Sequence, residues 1–116
     1  MYFILLVLNN VEMMEDVLEA WEIAGAKGVT ILPSIGFAKI KDKRSLQEDF
    51  PLIPGLDDII ETGQNQNRTL FTIVGSEEIK EDIIVSTQKI TGDLNNPYTG
   101  ILVVMPVSQA FGLDRW

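Results

Sequence analysis

Tyr2-Phe3-Ile4-Leu5-Leu6-Val7-Leu8, seven apolar residues in succession, is the stretch on which the fold turns. A run this short and continuously apolar reads as a central strand buried on both faces. Asn9 follows, and Glu12 three residues later completes the spacing of a helix N-cap and its reciprocal partner. Met14, Val17, Leu18, Trp21 and Ala24 then recur at helical spacing and define one apolar face. Gly25 is placed to end that helix in a left-handed conformation. The chain therefore opens strand, then helix.

Working outward, Val29 to Ile40 reads as a second strand. Pro33 lies within it and predicts a sheet edge or a bulge. Residues 41–67 are polar and charged at both ends, with Phe50-Pro51-Leu52-Ile53-Pro54-Gly55 in the middle. A connection of that length in a compact domain is usually functional or mobile. Thr69 to Val74 is a third strand, and Gly75-Ser76 supplies a turn and a cap. Glu77, Glu78 and Glu81 stand in the first turns of a second helix, where the helix dipole favours negative charge. Ile79, Ile83 and Ile90, with Thr87 between them, form its apolar face. The helix should stop near Thr91-Gly92. A turn follows as far as Gly100, and Ile101 to Val107 is a fourth strand.

Each half of the chain thus reads strand, helix, strand. Residues 1–116 form a single α+β domain of the ferredoxin-like βαββαβ type: an antiparallel sheet, two helices on one face, and a long insertion after strand 2. Right-handed crossovers put both helices on the same face. The opposite face is apolar as well, and no helix is left to cover it. That face is expected to pack against other copies of the chain.

Composition removes several classes of function. There is no cysteine and no histidine. Disulfides, thiolate metal sites and Ser-His or Cys-His catalysis are therefore excluded. The net charge of -8 argues against nucleic acid and against an anionic membrane surface. The apolar N-terminal run lacks a basic flank and a cleavage site, and it is too short to span a bilayer. The expected location is cytoplasmic, with no direct membrane insertion. No nucleophile–base pair or metal-ligand set is visible, so the chain does not read as an enzyme. Asp57, Asp58 and Glu61 cluster, but they lack the spacing of a calcium loop and read as a solvated acidic turn.

Four stretches carry a resemblance. Gly25-Ala26-Lys27-Gly28-Val29-Thr30, Gly36-Phe37-Ala38-Lys39, Thr91-Gly92 before a glycine-containing turn, and Val104-Met105-Pro106-Val107-Ser108-Gln109-Ala110 are together similar to the P-II nitrogen-regulatory family of trimeric signalling proteins. Within that likeness, residues 41–67 correspond to the mobile T-loop, and Thr91-Gly92 to the phosphate-binding B-loop. The resemblance implies a homotrimer with a nucleotide-binding cleft between subunits. It places Thr30, Gly36, Phe37, Lys39, Thr91 and Gly92 around such a cleft, with an adenine nucleotide (ATP, ADP or AMP) as the ligand. It also implies a protein partner, the cytoplasmic face of a membrane transporter or a regulated enzyme. The loop residues Lys41, Lys43, Arg44, Phe50 and Leu52 would contact that partner.

The sequence departs from the family where phosphates would lie. Ile101 stands where the family has a lysine, Phe111-Gly112-Leu113 replaces a basic pair, and Asp93 adds a negative charge. Charge-assisted hydrogen bonds carry phosphate recognition, so these changes weaken a triphosphate site most. Two readings therefore stand side by side: a sensor of a small ligand, and an interaction subunit on the same scaffold with the nucleotide site lost. The individual residues divide in the same way. Lys39 is a phosphate ligand or a solvated lysine at a strand end, and Gly92 and Gly100 form an anion nest or plain turns.

Overall fold

A computed structural model describes residues 1–36 and 67–113. Strand β1 (Tyr2–Leu8) leads through a 3-10 turn (Val11–Met13) into helix α1 (Met14–Ala24). Strands β2 (Thr30–Ser34) and β3 (Asn67–Val74), helix α2 (Glu77–Thr91) and strand β4 (Gly100–Pro106) follow. The sheet is antiparallel throughout, in the order β2-β3-β1-β4. This is the ferredoxin-like arrangement that the sequence predicts.

Local chemistry sets the boundaries. Asn10 rather than Asn9 is the capping asparagine, and what it caps is the 3-10 turn: its Oδ1 accepts from the Glu12 amide at 3.0 Å. Helix α1 itself begins only at Met14, without a side-chain cap, because the chain first makes the 3-10 turn, whose last amide, Met13, reaches back to the Asn10 carbonyl. Gly25 closes α1 at φ +117°, a conformation in which an L side chain is strained. Ser76 caps α2, its Oγ accepting from the Ile79 amide at 3.2 Å.

Register decides which side chains share a face. Tyr2, Ile4, Leu6 and Leu8 of β1 stand beside Val74, Thr72, Leu70 and Arg68 of β3. This is the helix side. Ile4, Leu6, Leu8, Leu70 and Val74 are buried there with Val17, Trp21 and Ile83 from the helices. Between the two helices the indole of Trp21 donates to Thr87 Oγ1 at 2.8 Å, fully buried.

The other sheet face is apolar and bare. Phe3, Leu5 and Val7 lie between Ile73, Phe71 and Thr69 on one side and Met105, Val103 and Ile101 on the other. The rings of Phe3 and Phe71 meet at 5.5 Å between centroids. Ile101, Val103, Met105 and Leu32 are exposed. β1 is thus central, as its composition predicts, but it is buried on the helix side only; among the described residues nothing packs against its second face. Pro33 lies on the edge strand β2, where its missing N–H costs no ladder bond.

Candidate functional site

Of the residues that the sequence assigns to a ligand cleft, Thr30, Gly36, Thr91 and Gly92 lie in the described parts of the chain. Phe37, Lys39 and the loop residues Lys41, Lys43, Arg44, Phe50 and Leu52 lie outside them. Thr30 opens β2 opposite Phe71, on the bare face. Two residues before Gly36, the Ser34 hydroxyl accepts from Thr69 Oγ1 at 2.9 Å and ties the end of β2 to β3. Thr91 ends α2, its hydroxyl 3.2 Å from the Thr87 carbonyl and 2.8 Å from that of Gly92.

The strands that adjoin these residues are not neighbours within one chain. β2 is one edge of the sheet and β4, which the Thr91–Gly100 turn feeds, is the other. Three inter-strand steps separate the edges, ~14 Å at ~4.8 Å each. The two edges nevertheless share an end: Ser34 pairs with Asn67, Arg68 with Leu8, and Leu8 with Gly100. Residues 34–36 and the Thr91–Gly100 turn therefore mark the same end of the sheet from opposite sides. Arg68, to which the sequence reading gives no role, stands between them and donates from Nη1 to the Asn67 carbonyl at 3.1 Å.

The turn after α2 satisfies its own donors. The Leu94 amide donates to Gln88 Oε1 at 3.3 Å, the Asn95 amide to Asp93 Oδ1 at 2.9 Å, and the Asn96 amide to the Asp93 carbonyl at 3.0 Å. A phosphate nest needs successive amides aimed at an anion. Here a carboxylate already serves one of three successive amides, and neighbouring oxygens serve the other two. Thr99 Oγ1 closes the turn against the Asn96 carbonyl at 2.9 Å. Tyr98 sits at φ +66°, a conformation uncommon outside glycine, with its side chain 92% exposed. Gly100, at φ +141°, passes so close to the Val7 carbonyl that a Cβ would collide with it.

The sequence reading saw Asp93 only as an unfavourable charge. Its capping role was legible, since an aspartate two residues before an amide in a Gly/Asn/Pro-rich turn is an Asx-turn signal. Gln88 carried no such local signal, because it acts across the end of the helix.

Beside this turn a cavity of about 240 Å³ lies between α2 and β4, lined by Ile84, Gln88, Leu94, Asn95, Leu102 and Val104. A second, of about 330 Å³, lies at the opposite end of the sheet, where Met1, Gly25, Lys27, Ser76, Ile79 and Leu113 gather. Among the described residues no group of three or more acidic, cysteine or histidine side chains could hold a metal ion. None of the described helices is long and apolar enough to cross a membrane.

No family model matches the chain, and no curated protein matches it either. Among solved structures it is similar to a Thermus thermophilus protein described as a "putative PII-like signaling protein". The TM-score is 0.53 and the identity 24%, over 90% of this chain and 82% of that one. The likeness spans nearly the whole molecule, and what it establishes is that the chain has the fold of that PII-like protein.

Proposed function

We propose that the chain is a PII-like signalling subunit that assembles as a homotrimer and binds a small ligand between subunits. In this reading the ligand state is passed to a protein partner through residues 41–67, and the chain catalyses nothing itself. The observation that carries the reading is the split site joined to the bare sheet face. Residues 34–36 and the Thr91–Gly100 turn mark one end of the sheet, but the edge strands they adjoin lie ~14 Å apart in one chain. Packing the apolar face against other copies is the move that would bring one chain's β2 end to another's turn. An exposed face of Val103, Met105 and Ile101 supplies the reason to assemble.

The ligand class is an adenine nucleotide, ATP, ADP or AMP. The self-satisfied turn favours a short phosphate chain over a triphosphate. Lys39 is the assigned cation, with Thr30, Gly36, Phe37, Thr91 and Gly92 around it. The partner is the cytoplasmic face of a transporter or a regulated enzyme, met by Lys41, Lys43, Arg44, Phe50 and Leu52.

A second reading rests on the same turn. With the amides of Leu94, Asn95 and Asn96 already bound, the chain is a trimeric interaction subunit whose nucleotide site has been lost. Native mass spectrometry with ATP, ADP and AMP separates the two. A trimer retaining nucleotide supports the sensor, a trimer that ignores all three supports the interaction subunit, and a monomer overturns both.

A further inference from the structure

The helical layer carries an apolar groove on its outer surface, away from the sheet. Ala20 and Ala24, one turn apart on α1, keep its floor low. Ile23 and Val85 are its walls, 79% and 52% exposed. On α2, Asp82, Val85, Ser86 and Lys89 recur at the spacing of one helix stripe. The groove encloses about 460 Å³. An amphipathic surface helix places polar residues on its outward side. Isoleucine and valine here leave apolar surface in water that neither the core nor the bare sheet face uses.

The groove's surroundings are acidic. Glu81 and Asp82 of α2 line the groove, and Asp16 and Glu19 of α1 and Glu78 of α2 are exposed one or two helical turns from its walls Ile23 and Val85. Lys89 is the one exposed cation on these two helices: Lys80 is largely covered and bound 3.2 Å from both Glu77 and Glu81.

We propose that this groove docks a positively charged amphipathic helix from a partner protein. Apolar side chains at helical spacing would enter between Ile23 and Val85, and lysines or arginines on either side would meet the acidic rim. A second copy of the chain is a poor occupant, because it would set one acidic rim against another. An anionic membrane is repelled for the same reason. The stretch from Asp82 to Lys89 is ~12 Å long at ~1.5 Å per residue, so two or three apolar anchors fill the groove. The groove and the bare sheet face lie on opposite sides of the molecule. Docking here therefore stands independently of the trimer reading.

The test titrates the full-length, isotope-labelled protein with a synthetic lysine–leucine helix of about 14 residues, its leucines on one face. A second peptide replaces the leucines with serine at unchanged charge. The expected result is saturable binding with amide shifts confined to residues 20–24 and 81–89. Affinity should fall about tenfold with Ile23→Ser or Val85→Ser, with Asp82→Lys, and with the serine peptide, ~1.4 kcal/mol each. Both walls are exposed, so the serine variants keep the fold, which circular dichroism checks independently. Failure to bind overturns the proposal. Equal binding of the two peptides, shifts spread over every acidic residue, or indifference to both serine variants does the same.

Discussion

Replacing Thr87 by valine asks how much the helical layer depends on one buried hydrogen bond. The swap preserves the branched shape and leaves helix propensity nearly unchanged. What it removes is the oxygen that receives the Trp21 indole N–H at 2.8 Å, at a place where both residues are fully buried. The Thr87 hydroxyl also donates to the Ile83 carbonyl at 2.6 Å. That carbonyl keeps its ordinary partner within the helix, so little is lost there. The indole N–H has no water to turn to, and stranding it costs about 1–3 kcal/mol. For a chain of this length ~2 kcal/mol lowers Tm by roughly 5–10 °C and the folded-to-unfolded ratio by about 30-fold. Urea and thermal unfolding followed by circular dichroism, at one protein concentration, measure it. The control is Trp21→Phe, which removes the donor. In that background Thr87→Val should cost less than about 0.5 kcal/mol, because nothing is left stranded. A Thr87→Val protein within that margin of the parent refutes the argument, as does an equal cost in both backgrounds.

Further consequences follow from other parts of the fold. Gly100→Ala forces a Cβ onto the Val7 carbonyl at a positive φ, and should cost at least ~1–3 kcal/mol in the same unfolding assay. Ser76→Ala removes the α2 cap and should cost ~1 kcal/mol, whereas Ser76→Asp should retain it. Hydrogen bonds to Glu77 first, then to Glu81, hold the Lys80 pKa above its ordinary value. The stability this contributes is complete below the unfolded pKa and is lost as pH rises through the higher folded one. The gap between the parent and Lys80→Met should therefore be constant from neutral pH to about 10 and narrow above it, read by urea unfolding across that range. Val103→Glu puts a charge on the bare face. It should lower the mass seen by size-exclusion light scattering while leaving the secondary structure intact.

Most of the fold was legible because the decisive signals are local. A seven-residue apolar run, the Ser76 cap, the Gly25 stop and Pro33 each act within a few residues of their own position. The handedness of crossovers then put both helices on one face of the sheet. What local reading misplaced was the start of α1, which begins only at Met14; before it, Asn9 and Asn10 compete for one role, the cap of the 3-10 turn. Asn10 takes it because its carbonyl closes the 3-10 turn. The site was less legible. The resemblance names Thr30, Gly36, Thr91 and Gly92 as one group, yet β2, which leads to Gly36, and β4, which follows the Thr91–Gly100 turn, are opposite edges of the sheet. No spacing in a linear sequence reports that separation. Nor does it report that Gln88 binds the Leu94 amide, since that contact exists only once α2 has ended at Thr91.

Pro33 governs how copies of this molecule can meet. A sheet can grow in two ways: by stacking a face, which stops when the face is covered, or by adding strands at an edge, which has no natural end. β2 is a five-residue edge strand, and at its fourth position Pro33 has no N–H to offer an incoming strand. A β-strand arriving there would lose a ladder bond near the middle of its contact. The apolar surface that makes association favourable therefore lies on a face, while, among the described residues, one of the two sheet edges that could turn association into a fibre is blunted. Raising the concentration of this protein should drive it toward closed assemblies of definite size rather than open-ended polymer.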